Sequence, residues 1–299
     1  MIETPVRTSG ASDAENLRAE LARSDALGGT VLPILRHLLS SNGSTLFGDE
    51  VLARVRSMLA HLASELAAAI HGDDAAPEVD RQQVAALSEA LLASHTLVGH
   101  LHAQALEWAF TERLETRCGV DPVISPLLER WITDTGAPMH ALATRLLAAQ
   151  AKWCQAQRRM AIALSELPGE ALHAALLTLR SALPGDARAE PAEARIRAAY
   201  DEGATRLGLA ARLVIELGGD AHAALELEDA GATLFITVLA LHAGEPRDAV
   251  AVSMHETQTI RLALALIAAG LSPQAAERQI ELLHEHARLA PSLQGVDME

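Results

Sequence analysis

Lysine is almost missing from this sequence. Lys152 is the single one, and every other strong base is arginine. Alanine is abundant beside it, so the arginines reflect a compositional bias. An arginine at any one position is therefore weak evidence for phosphate or carboxylate recognition. Bases are also outnumbered: the formal charge is −15. With no basic run and no stripe of aromatics between bases, that balance argues against general binding to nucleic acid or to an anionic membrane. A local basic pair, Arg158 and Arg159, reads as a solvated helix face.

Aromatics are scarce as well, at 2% of the 299 residues. Without aromatic and β-branched richness, the 49% of apolar residues points to packed helices rather than strands. Two cysteines, Cys118 and Cys154, form neither a disulfide framework nor a CxxC site. They read as thiols in a reducing compartment. The N-terminal MIETPVRTSG lacks a basic region followed by an apolar run, so no signal peptide is expected. The longest apolar runs, 234–241 and 260–269, fall short of the ~20 residues that span a bilayer. A cytoplasmic protein without a membrane span is expected.

What is present is helical periodicity. The organising stretch is residues 231–290, whose two long apolar runs belong inside a core. Gly244 with Pro246, and Gly270 with Pro273, divide it into short antiparallel helices. Ile260, Leu264 and Ile267 make one stripe and Leu262 and Leu266 another. In the next helix Ala276, Ile280, Leu283 and Ala287 face inward, while Gln274, Glu277, Arg278, Glu281, Glu285 and Arg288 face water. That helix is the expected outer cover.

Upstream, residues 1–12 read as disordered. A helix is expected over 13–24, broken at Gly28 and Gly29, with a second short helix carrying Val31, Leu35 and Leu38. A long helix opens at Gly48 and Asp49 and runs to Ile70, followed by an exposed acidic loop over 72–77. The helical pattern then holds for about forty residues, 78–117, with Gly99 as a kink. Shorter helices follow around Leu127–Trp131, from Pro138 to Leu167, and from Gly169 to Leu183. The proline-bounded PGDARAEP, 184–191, is the linker candidate. The expected organisation is thus a helical bundle over 13–183 and helical hairpins over 191–290, either packed on it or continuous with it, and a frayed tail over 291–299. No strand or hairpin signal occurs. The fold class is all-α, with HEAT-like hairpins and no clean repeat.

Thirteen histidines raise the question of metal. Two E-x-x-H motifs occur, Glu170 with His173 and Glu281 with His284. In ferritin-like bundles such pairs hold two metal ions. With this many glutamates and histidines, chance alone supplies about one. Glu170 also points away from the Leu172, Leu176, Leu179 and Leu183 face, and Glu281 away from the Ile280 and Leu283 face, so surface glutamates are expected. The i,i+2 pairs His100 with His102 and His284 with His286 diverge on a helix. Asp201 and Glu202, taken to lie in mid-helix, read as a polar face. No GxSxG, phosphate loop or HExxH is present.

Residues 94–99, Ser-His-Thr-Leu-Val-Gly, resemble the HxLKG signature of histidine phosphotransfer domains. That resemblance implies an exposed phosphate-accepting His95, an assisting lysine and a glycine that makes room for the partner. Here Val98 replaces the lysine. The helical wheel sets His95 with Val84, Leu87, Leu91 and Val98, so a buried core histidine is expected.

Residues 198–203 (AAYDEG), 234–244 and 261–271 carry a second resemblance, supported by Phe47–Glu50. They are similar to a bacterial helical family of unknown function, widespread in alphaproteobacteria. The resemblance implies an all-helical, HEAT-like architecture and contributes no functional residue. The resulting expectation is a non-enzymatic scaffold or regulator that binds a protein partner in a groove between helices. It has no assigned catalytic, cofactor-binding or metal residue. A degenerate phosphotransfer module using His95, and a dimetal-carboxylate enzyme, are the alternatives.

Overall fold

The computed structural model describes residues 9–40, 49–71, 81–136, 138–255 and 258–284. Thirteen α-helices and no strand occur among them, as the 3.6-residue pattern requires. Helices α1 (Ser9–Ser40), α2 (Asp49–His71), α3 (Arg81–Leu92), α7 (Gly169–Ala182) and α8 (Ala189–Ala199) surround one apolar core. Helices α5 (Pro126–Thr133), α6 (His140–Arg158), α9 (Arg206–Leu217), α10 (Leu227–Ala243), α11 (Arg247–Ser253), α12 (Thr259–Ala268) and α13 (Pro273–Leu283) build a second.

Helix α4 (His95–Cys118) belongs to both cores. Its Leu97, Val98, Leu101 and Ala105 join the first, and Ala103, Leu106, Phe110 and Leu114 the second. Residues 100–108 are buried without a gap. A helix covered on every side must therefore satisfy whatever polar side chains it carries.

The expected forty-residue helix divides at Ser94, not at Gly99. Ser94 takes an extended conformation and its Oγ accepts the Leu97 N–H at 3.3 Å. This is the N-cap role for which serine suits better than the helix interior. The two helices meet at 93°. No single described helix is long and apolar enough to cross a membrane; α3 and α4 meet both conditions only together, as this bent pair.

Gly28 and Gly29 do not end the first helix. α1 continues through them and through Pro33, from Ser9 to Ser40, so residues 9–12 are helical. Each glycine costs about 1 kcal/mol in a helix interior, which packing against α2, α4 and α12 outweighs. The 72–77 loop and the tail beyond 284 lie outside the described residues. Helix α6 stops at Arg158, earlier than Leu167. Met160 adopts φ 52°, and the Gln157 carbonyl accepts both the Met160 N–H and the Arg54 guanidinium of α2. The 184–191 segment connects α7 to α8, and its second half is the first turn of α8. Both helices pack on the first core.

Helix α10 is the centre of the second core, with contacts to α4, α5, α9, α11 and α12. Every residue from Ala230 to Ala240 is buried. Gly231, at φ 69° and ψ 167°, kinks its first turn in a conformation open essentially only to glycine. Helix α13 is the outer cover: Ala276, Ile280 and Leu283 are buried while Glu281 is exposed. In α12 the deeper stripe is Leu262, Ala263 and Leu266; Ile260 and Leu264 are half-buried. Ile267, 7% exposed, should lose about 2–3 kcal/mol on conversion to alanine. Glu281→Ala should stay within about 0.5 kcal/mol of wild type. Equal denaturant midpoints for the two variants would show the faces to be misassigned.

Candidate functional site

Two polar constellations stand out, and neighbouring residues at the start of α11 join them. The first is a buried ion cluster around Glu107. This side chain has no solvent exposure, because it projects from the part of α4 that is covered all round. Arg206, the first residue of α9, meets it at 2.7 and 3.1 Å. Arg247, the first residue of α11, meets it at 2.8 Å through both amino groups. The Thr233 hydroxyl of α10 donates to it at 2.9 Å. Burial pushes the Glu107 carboxyl up, but the two guanidiniums prevail and hold it far below the usual carboxylate range.

The Arg206 guanidinium also lies 3.9 Å above the Trp153 ring. Trp153 Nε1 donates to Gln104 Oε1 at 2.9 Å, and the same oxygen accepts from Arg206 at 3.0 Å. A carboxylate saturated in this way has no free acceptor for a substrate proton. The cluster is a fastener that locks α4, α9, α10 and α11 together. One sequence signal could have found it: Glu107 is the single charged residue among Leu101, Leu106, Trp108 and Phe110. Its partners lie 99 and 140 residues away, beyond any local spacing rule.

The second constellation is a cavity of about 380 Å³ between α1, α4, α11 and α12. Val31, Leu32, Ala249 and Val252 supply apolar wall, and Thr96, His95, His100, Asp248, Gln258 and Arg261 add polar groups. The volume falls in the range of ordinary ligand pockets. While Arg247 turns into the core, the next residue, Asp248, takes the Nδ1 hydrogen of His100 at 3.0 and 3.2 Å. His100 Nε2 is buried with no hydrogen-bond partner. Burial raises the Asp248 carboxyl, but His100 and Arg247 bring it below its ordinary value. The α1 wall is fastened by Ser24 to Gln258 and by Asp25 to Arg261 at 2.9 Å.

His95 is exposed at this cavity and is not a core histidine. The helical wheel that buried it assumed one straight helix from Val84 to Val98. The bend at Ser94 makes His95 the first residue of a new helix and removes it from that face. Gly99 lies one turn on, with Leu32 of α1 within 3.7 Å of where a Cβ would stand.

The E-x-x-H motifs do not converge. Glu170 and His173 are exposed on α7, and His173 faces Arg197 at 3.2 Å. His284 is buried against the Met254 carbonyl at 2.9 Å, while Glu281 is exposed. Among the described residues no three His, Cys, Asp or Glu side chains stand close enough to hold a metal ion. His286 lies outside the described residues.

Asp201 and Glu202 are not in mid-helix. They form the turn after α8, where Asp201 accepts the Gly203 N–H at 3.0 Å and Glu202 accepts the Gly169 N–H at 3.1 Å. Gly208 allows α9 to approach this turn so closely: a Cβ there would meet the Glu202 carbonyl oxygen at 2.1 Å. Cys154 is buried on the Pro122 carbonyl at 3.3 Å. Burial pushes its thiol up to about 11, the condition of an inert thiol.

His102, two residues from His100, also lines the cavity. Burial first, and His255 second, lower its pKa to about 4. Because this value lies below the unfolded one, His102 contributes stability that is complete above pH ~6.5 and is lost as pH falls toward 4. The effect is on the order of 3 kcal/mol. Urea melts of His102→Gln should show a flatter dependence over that window than wild type; parallel curves would remove His102 from the account.

No family model, curated protein or solved structure matches the chain.

Proposed function

We propose that this chain is a non-enzymatic, cytoplasmic helical regulator, with HEAT-like hairpins, that binds a protein partner. Membership of the bacterial family it resembles is part of the proposal. The cavity between α1, α4, α11 and α12 carries the reading. It is open, and the surface it presents is mainly apolar although most of its lining side chains carry polar groups, the character of a pocket that takes an anchor residue. The buried carboxylate at Glu107, by contrast, is fully committed to its own cations. Ala249 is half-buried on the cavity wall, so Ala249→Trp should fill the space without reaching the core. Wild-type protein should capture a partner from native cells that the folded Ala249→Trp protein fails to capture. Identical captures by both, or none by either, would count against the reading.

A second reading has a specific observation in its favour: the exposure of His95 at a cavity that Arg261 also lines. On this reading His95 accepts phosphate. Treatment with a phosphorylated receiver domain should then leave acid-labile phosphate on wild type and none on His95→Gln. The absence of label from wild type ends this alternative.

A further inference from the structure

We infer that the cavity beside Asp248 receives a lysine side chain of a basic partner segment, the aliphatic stem against Leu32 and Val252 and the ammonium on the Asp248 carboxylate. The inference rests on the partner-binding reading and deepens it.

The charges around the cavity select a cation. Asp25, Glu245 and Asp248 are all partly exposed, and Arg261 is the guanidinium among them. Arg261 is already committed, to Asp25 at 2.9 Å and Glu245 at 3.5 Å. An anion approaching Arg261 would meet the like charge of those two carboxylates. Asp248 lines the cavity itself, with its side chain 38% exposed. A carboxylate has about four acceptor positions, and His100 supplies a single N–H to it. Acceptor capacity therefore remains on the cavity side. The net charge of −15 acts in the same direction, since it steers positively charged partners toward the chain.

The geometry selects ammonium over guanidinium. His100 Nδ1 is nearly equidistant from the two Asp248 oxygens, at 3.0 and 3.2 Å, and so occupies the fork between them. An arginine needs that fork for paired hydrogen bonds; a lysine ammonium is a point donor that can approach either oxygen from its outer side. The rest of a lysine is a flexible apolar chain that lies along an apolar wall while its head stays polar. Leu32 and Val252 provide such a wall.

The test uses the full chain and small probes, followed by amide chemical shifts. Nα-acetyl-lysine methylamide should shift the amides of Gly99, Asp248 and Val252 saturably. The neutral norleucine and Nε-acetyl-lysine analogues should bind at least about tenfold more weakly, the worth of one charge-assisted hydrogen bond. Asp248→Asn keeps an acceptor for His100 and should lose a similar factor for the lysine probe. If Asp248→Asn proves poorly folded, the probe series on wild type decides alone. Equal binding of the norleucine probe, unchanged affinity in Asp248→Asn, or no saturable shift with the lysine probe would overturn the inference. Partner capture separates the two levels. Capture that Ala249→Trp abolishes but Asp248→Asn leaves intact retains the cavity and rejects the lysine. Capture indifferent to Ala249→Trp rejects the partner-binding reading itself.

Discussion

Glu107→Ala should cost about 3–5 kcal/mol of folding stability, the penalty for leaving buried charge without its counter-ion. Arg206 is 2% exposed and Arg247 14%, so neither guanidinium can recover full hydration once the carboxylate is gone. Thr233 would lose its acceptor as well. The attraction itself is a poor measure of that cost, because burying three ionised groups carries a large desolvation penalty. A joint replacement, Glu107→Leu with Arg206→Met and Arg247→Met, should therefore be far milder than the single change and should lie within about 2 kcal/mol of wild type. Urea melts of the single and triple variants provide the comparison; a triple variant as damaged as the single one would mean that the ions themselves supply the stability. Acid gives a second handle. The Glu107 carboxyl titrates below its unfolded value, so its contribution is complete above pH ~4.3 and is lost as pH falls below that. The triple variant should lack this acid limb.

Phe235→Ala is the second large effect, expected at about 3–5 kcal/mol. Phe235 is fully buried in α10, and the helices around α10 are held by their own contacts with one another. They can collapse only partly into the space a ring would vacate, so the loss combines the transfer of the ring out of water with an unfilled cavity. Phe235→Leu, which keeps most of the volume, should cost less than about 1.5 kcal/mol. A mild Phe235→Ala would mean that α10 is not the rigid centre of its core.

Much of this fold can be read from local chemistry. The apolar run at 234–241 announces α10 as an interior helix. Gly244 and Pro246 mark where α10 ends and α11 begins, and Gly270 and Pro273 where α12 ends and α13 begins; Ser272 caps α13 through the Ala275 N–H, and Pro273 fits the first helical position. The inward face of Ala276, Ile280 and Leu283 also follows from spacing alone. What fails is decided by contacts distant in sequence. Whether Gly28 and Gly29 interrupt a helix depends on what packs against it. Whether Arg158 ends one depends on Arg54 in α2. The site was harder to see. Periodicity counted His95 on an apolar face because forty residues of continuous pattern concealed the cap that Ser94 forms. Arg206 and Arg247 were hidden among many arginines, and nothing in their neighbourhoods reveals that one glutamate holds both.

The ion cluster also sets an order on synthesis. Glu107 leaves the ribosome 99 residues before Arg206 and 140 before Arg247. No nascent chain that stops short of residue 247 can bury that carboxylate with both of its cations. Helix α4, which both cores share, must therefore keep one side in water while most of the protein is being made. Native burial of its centre comes late, after α11 has emerged. A protein truncated just before Gly244 would retain all of α10 and still lack the second guanidinium. Such a fragment would expose apolar surface around α4, the kind of species that chaperones hold.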